Sequence, residues 1–94
     1  MKTYPLDKII TLPNRQRKEF DPAKLHEFAD GIEKRGLFHP IVVRWADPVP
    51  GEVPKLVLVA GERRLRAVTD LALLGTQIRH DGALVPIGCI PYTL

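Results

Sequence analysis

The chain has 94 residues, 45% of them hydrophobic and 27% charged, and a formal net charge of +3, which fits one small globular domain with a single modest core. Its apolar runs are too short and too often broken by charge or proline to span a bilayer, and Met1-Lys2-Thr3-Tyr4-Pro5 does not open a signal peptide. The lone Cys89 excludes an internal disulfide and points to a reducing cytoplasm, while the mild positive charge suits an anionic ligand without by itself arguing for DNA.

Residues 4–11 carry Leu6, Ile9 and Ile10 and read as an edge strand. Pro13-Asn14-Arg15-Gln16-Arg17-Lys18 has no apolar periodicity and reads as a basic loop. Asp21-Pro22 then starts a helix, the aspartate as cap and the proline preorganised for the first helical position. Leu25, Phe28, Ala29 and Ile32 follow at the i, i+3, i+4, i+7 spacing of one buried face. Lys34 and Arg35 suit the negative end of that helix and Gly36 its stop. Gly31 weakens its interior by about 1 kcal/mol relative to alanine, so the helix leans on packing.

Residues 40–45, with Ile41-Val42-Val43 at their centre, read as a strand. The proline-rich stretch 47–54 reads as a turn region, and residues 55–60 return as a second, buried strand, so the pair forms a hairpin with a long tip. A second helix covers residues 61–74, with Leu65, Val68, Leu71, Ala72 and Leu74 as its inner face and Gly75 as its stop. The apolar piece 84–90 adds a last strand, whose prolines favour an edge, and Cys89 within it reads as a buried, inert thiol. The order strand, helix, strand, strand, helix, strand predicts an α+β (α/β-like) fold: a small mixed sheet with two helices packed on it, one domain over residues 1–94.

The functional signal lies in Gly61-Glu62-Arg63-Arg64-Leu65-Arg66-Ala67. Three arginines and a glutamate fall on the first turns of a helix directly after a glycine. The free N–H groups of a helix start attract anions, and guanidinium forks match phosphate, so a polyphosphate or a nucleic-acid backbone is the expected ligand class. No G-x-x-x-x-G-K-[ST] or G-x-G-x-x-G run occurs, so a glycine-rich wrap is not the means.

That heptad resembles the GERRxRA box of the ParB N-terminal domain, in the ParB/sulfiredoxin superfamily. Three further pieces fall in the family's order. Residues 12–20 are similar to its NPxQPR opening segment, residues 25–36 to its first helix, and Gly36-Leu37-Phe38-His39-Pro40-Ile41-Val42-Val43-Arg44 to its GxxQPIVVR loop and strand. The resemblance implies a ParB-like fold that binds cytidine triphosphate with Mg²⁺. It places Gly61, Glu62, Arg63, Arg64 and Arg66 on the phosphates, with Gly36, His39 and Pro40 from the facing loop, and Gln16 and Arg17 on the base side. It further implies a DNA partition or transcription-regulatory protein, from a plasmid, phage or chromosome, and nucleotide-dependent homodimers.

The chain departs from the family in three places. His39 stands where the family has glutamine, and Arg15 and Arg17 bracket Gln16 where the family has Pro-x-Gln-Pro-Arg. The ENxQR box that completes the family's metal and hydrolysis site, the DNA-reading helix-turn-helix and the dimerising tail have no counterpart in these residues, and an end just after an apolar strand reads as that of an excised domain. DNA would then be reached through a domain outside this chain. A cysteine of the sulfiredoxin kind is replaced by Glu62 and Arg63, so reductase chemistry is not expected.

Other readings stay open on the same residues. The arginines can form a solvated face, with Arg64 paired to Asp30 or Glu33. Glu62 can be a general base, a metal ligand or a counter-charge to its neighbours. Relatives of the superfamily include a serine kinase and ParB-like nucleases, which leaves a phosphotransferase or nuclease with Glu62 as base, and a module gripping DNA backbone, as alternatives. His39 is either a phosphate donor or a plain loop residue. His26 and His80 show no partner pattern, no metal-ligand spacing is present, and Trp45 and Phe38 read as core or rim.

Overall fold

The computed structural model describes residues 1–12 and 21–94. In chain order they form β1 (Thr3–Pro5), a single 3-10 turn (Leu6–Lys8), β2 (Ile9–Ile10), α1 (Pro22–Arg35), β3 (Ile41–Trp45), β4 (Leu56–Ala60), α2 (Glu62–Leu73), β5 (Ile78–His80), β6 (Ala83–Val85) and β7 (Cys89–Thr93). Five strands make one mixed sheet in the order β1-β7-β3-β4-β2, and β5 and β6 make a separate hairpin. The expected α+β architecture of a small mixed sheet and two helices is present.

The helices form where the local chemistry directs. The Asp21 carboxylate accepts from the Ala23 N–H at 2.9 Å, and Pro22 takes the first helical position of α1. Leu25, Ala29 and Ile32 are buried on one face, and Phe28 packs half-buried beside them. From α2 come Leu65, Ala67, Val68 and Leu71. These meet Ile41, Val43, Leu56, Leu58 and Ile90 of the sheet in one core. Helix α2 stops in a Schellman arrangement: Thr76 N–H reaches Leu71 O at 2.9 Å and Gly75 N–H reaches Ala72 O at 3.0 Å, with Gly75 at φ +72°.

Four expectations are corrected. The N-terminal segment is not one strand. The turn at Leu6–Lys8 breaks it, so β1 joins β7 at one edge while β2 runs parallel to β4 at the other. The link from Pro5 to Ile9 spans at most about 15 Å of chain, whereas four flat strand spacings need about 19 Å, so the sheet must curl. Leu74, read as an inner-face residue, caps the end of α2 and is 78% exposed, and Val59 of β4 is exposed as well. The 84–90 strand is instead two elements, β6 and β7, and β7 is interior rather than an edge. Its Pro91 is tolerated there because Tyr92 N–H donates to Lys2 O. Alternation then aims the proline's missing donor toward β3, whose pairing with β7 starts only at Tyr92. Finally, Cys89 is half-buried, not buried.

Candidate phosphate-binding seam

Gly61 turns the chain from β4 into α2. Its φ of +103° is left-handed, which favours glycine, and a Cβ there would also crowd Ile41 Cγ2 at 3.1 Å. The N–H groups of Glu62, Arg63 and Arg64 have no intrahelical acceptor, and no side chain caps them among the described residues.

The facing wall is the 36–40 loop at the end of α1. Arg64 ties the two walls together: its Nη1 donates to the Pro40 carbonyl at 2.9 Å. The reading that paired Arg64 with Asp30 or Glu33 is therefore not the one the chain adopts. Asp30 is engaged by Lys34 at 3.0 Å, and that hydrogen bond and charge hold its carboxyl below the usual range. A cleft of about 150 Å³ opens where the walls meet, lined by Gly36, Leu37, Phe38, His39 and Arg64 with Phe28, Ile32 and Arg35 of α1. Its surface is largely apolar, with cations at its margin.

Arg63 is exposed, and its Cζ lies 5.5 Å from the centroid of Phe28, a cation–π contact. Phe28 lines the cleft, so Arg63 is parked at its rim. Glu62 is half-buried at the first position of α2. Gly36, His39, Pro40, Gly61, Arg63 and Arg64 are thus brought together. Arg66 is placed apart, in a second groove between the helices with His26, Asp30, Glu33 and Asp70. Gln16 and Arg17 lie outside the described residues. Among the described residues no group of three or more His, Cys, Asp or Glu side chains could hold a metal.

Several contributors carried no recognisable sequence signal. Phe28 read as part of the buried face of α1 and Phe38 as core or rim, yet both line the cleft, Phe38 with 67% of its surface exposed. Gly31 is buried, with the Arg35 guanidinium lying over it. His80 is buried, with Nδ1 2.7 Å from the Leu37 carbonyl and Nε2 3.5 Å from the Asp81 carboxylate.

The family profile of the ParB N-terminal domain matches residues 1–81. The chain belongs to that family. A probable chromosome-partitioning protein ParB of Campylobacter jejuni is 42% identical over 66 residues, covering 70% of this chain and 22% of that protein. A nucleoid occlusion protein of Bacillus pumilus is 45% identical over 73 residues, covering 76% of this chain and 23% of that protein. The chain therefore spans less than a quarter of these curated relatives. Among solved structures, the C-terminally truncated chromosome-partitioning protein ParB of Caulobacter crescentus complexed with CTP-gamma-S matches with a TM-score of 0.68 and 25% identity, over 98% of this chain and 42% of that one. The same protein complexed to the centromeric parS site matches with a TM-score of 0.70 over the whole chain and 40% of its own length; at 23% identity that likeness shows the fold alone. Within the ParB family fold, β6 and β7 lie beyond the matched residues 1–81, yet β7 joins β1 to β3. No helix among the described residues is long and apolar enough to cross a membrane.

Proposed function

We propose that this ParB-family domain binds a nucleoside triphosphate, CTP by resemblance, at the seam between the 36–40 loop and the start of α2. The observation that carries the reading is the Arg64–Pro40 bond. It holds an uncapped helix start against a loop whose Phe38 and His39 N–H groups have no backbone acceptor among the described residues. Phosphate oxygens bridging the two walls would satisfy both sets of donors. The CTP-gamma-S complex of the Caulobacter relative supports the cytidine nucleotide.

Arg63 supplies the mobile fork. Leaving Phe28 costs about 0.5–1 kcal/mol for an exposed cation–π contact, whereas a hydrogen bond to a charged phosphate contributes about 1.5–3 kcal/mol, so the swing is favourable. Gly36 and Gly61 let the backbone approach closely, and His39 adds a side-chain donor. Arg66, in the neighbouring groove, adds positive field beside the seam. Mg²⁺ would be held chiefly by phosphate oxygens, because the chain offers no metal centre among its described residues. Glu62 is the base available to any turnover, and Gln16 and Arg17 would face the nucleobase.

At about 150 Å³ the cleft is smaller than the roughly 300 Å³ at the low end of small-molecule sites. Enclosing a triphosphate takes a second surface, and a nucleotide-dependent homodimer supplies one. The parent protein would be a cytoplasmic DNA-partition or transcription-regulatory protein that reads DNA through another domain.

Titration calorimetry with CTP, ATP, GTP and UTP, each with Mg²⁺, tests the reading. Preferential CTP binding supports it. ATP turnover with a small hydroxyl acceptor would point to a phosphotransferase. Binding to DNA alone, weakening steeply with salt, would point to a backbone-gripping module.

A further inference from the structure

The 36–40 wall is held from behind by β5. Among the described residues His80 is the buried polar side chain, 9% exposed. Its Nδ1 is 2.7 Å from the Leu37 carbonyl oxygen, across 43 residues of sequence. A carbonyl only accepts, so Nδ1 carries the proton and donates. Alongside, Leu37 N–H donates to Arg79 O at 2.7 Å, and a Cβ on Gly36 would meet that same Arg79 oxygen at 2.9 Å. Leu37 thus has both backbone groups committed to β5, while Pro40 is committed to Arg64. The two residues between these anchors, Phe38 and His39, keep their N–H groups without a backbone acceptor among the described residues.

We infer that His80 is a positioning residue for the anion site, fixing the Leu37 carbonyl so that the Phe38 and His39 donors are presented in one arrangement. This rests on the seam being the nucleotide site. Without the His80 bond Leu37 would be held by its N–H alone, the peptide that follows it would have to be ordered by the ligand, and affinity would fall by the cost of that ordering.

His80→Asn and His80→Leu separate positioning from packing. Asparagine carries an amide nitrogen at the δ position and can donate to the same carbonyl; leucine fills the space better and cannot donate. Two readouts are taken on the folded domain: hydrogen exchange of the Leu37 amide, which is bonded to Arg79 O, without nucleotide, and affinity for CTP with Mg²⁺. The expected result is that His80→Leu speeds exchange and weakens CTP about 10-fold, the scale of one lost hydrogen bond. His80→Asn stays close to wild type in both, even though its larger cavity lowers the melting temperature. Unchanged exchange in His80→Leu, or asparagine more damaging than leucine in both readouts, would overturn the inference. If the wild-type domain binds no nucleotide, the functional reading falls, and the exchange comparison still decides the role of His80.

Discussion

Arg64 and Pro40, 24 residues apart, are joined by a 2.9 Å hydrogen bond from guanidinium to main-chain carbonyl. Arg64, one of the heptad residues that the resemblance placed on the phosphates, braces the two walls with its guanidinium. Its partly buried bond should contribute about 1.5–3 kcal/mol. Arg64→Ala is therefore expected to lower unfolding free energy in urea by about that amount, and Arg64→Lys to restore only part of it, since an ammonium lacks the planar reach of the fork.

Arg63 should behave in the opposite way. It is exposed and touches only the face of Phe28 in the contacts described. Arg63→Ala should leave stability within about 1 kcal/mol but weaken triphosphate affinity by at least about 1.5 kcal/mol, more than 10-fold. Unchanged affinity in a folded Arg63→Ala domain would count against the seam.

Gly61→Ala tests the turn into α2. The substitution needs a left-handed alanine at φ +103° and a Cβ 3.1 Å from Ile41 Cγ2. A loss of about 1–3 kcal/mol in thermal or urea unfolding is expected, with CTP affinity reduced as the helix start shifts.

The β5–β6 hairpin closes through Asp81 and Gly82, at φ +50° and +77°, with His80 opposite Ala83. Both turn residues are left-handed, as a type I′ turn requires. Gly82→Val should destabilise the domain by about 1–2 kcal/mol, and should speed exchange at Leu37, since Arg79 and His80 anchor that residue from this hairpin.

Much of this was readable from the chain because the signals are local. Asp21-Pro22 capped α1, Gly36 and Gly75 stopped the helices, and the period of Leu25, Phe28, Ala29 and Ile32 marked a face. The heptad at residues 61–67 located one wall of the seam, and the likeness to GxxQPIVVR located the other. The Asp81-Gly82 signal, which closes the β5–β6 hairpin, is also local. What could not be read depends on pairing across distance. The split of the N-terminal segment follows from strands that form far downstream, and the interior place of β7 from its register with β1 and β3. Arg64 found Pro40 and His80 found Leu37 only because the fold brings α2 and β5 to opposite sides of one loop. No spacing rule in the sequence encodes either contact.

Backbone amide shifts during titration with CTP and Mg²⁺ test the central claim most directly. The account predicts that the largest changes fall on Gly36, Phe38 and His39 together with Gly61, Glu62, Arg63 and Arg64, and that in Arg63→Ala they require more than about 10-fold higher nucleotide. Changes confined to the groove around Arg66 and Asp70, or no changes at saturating nucleotide, would contradict it.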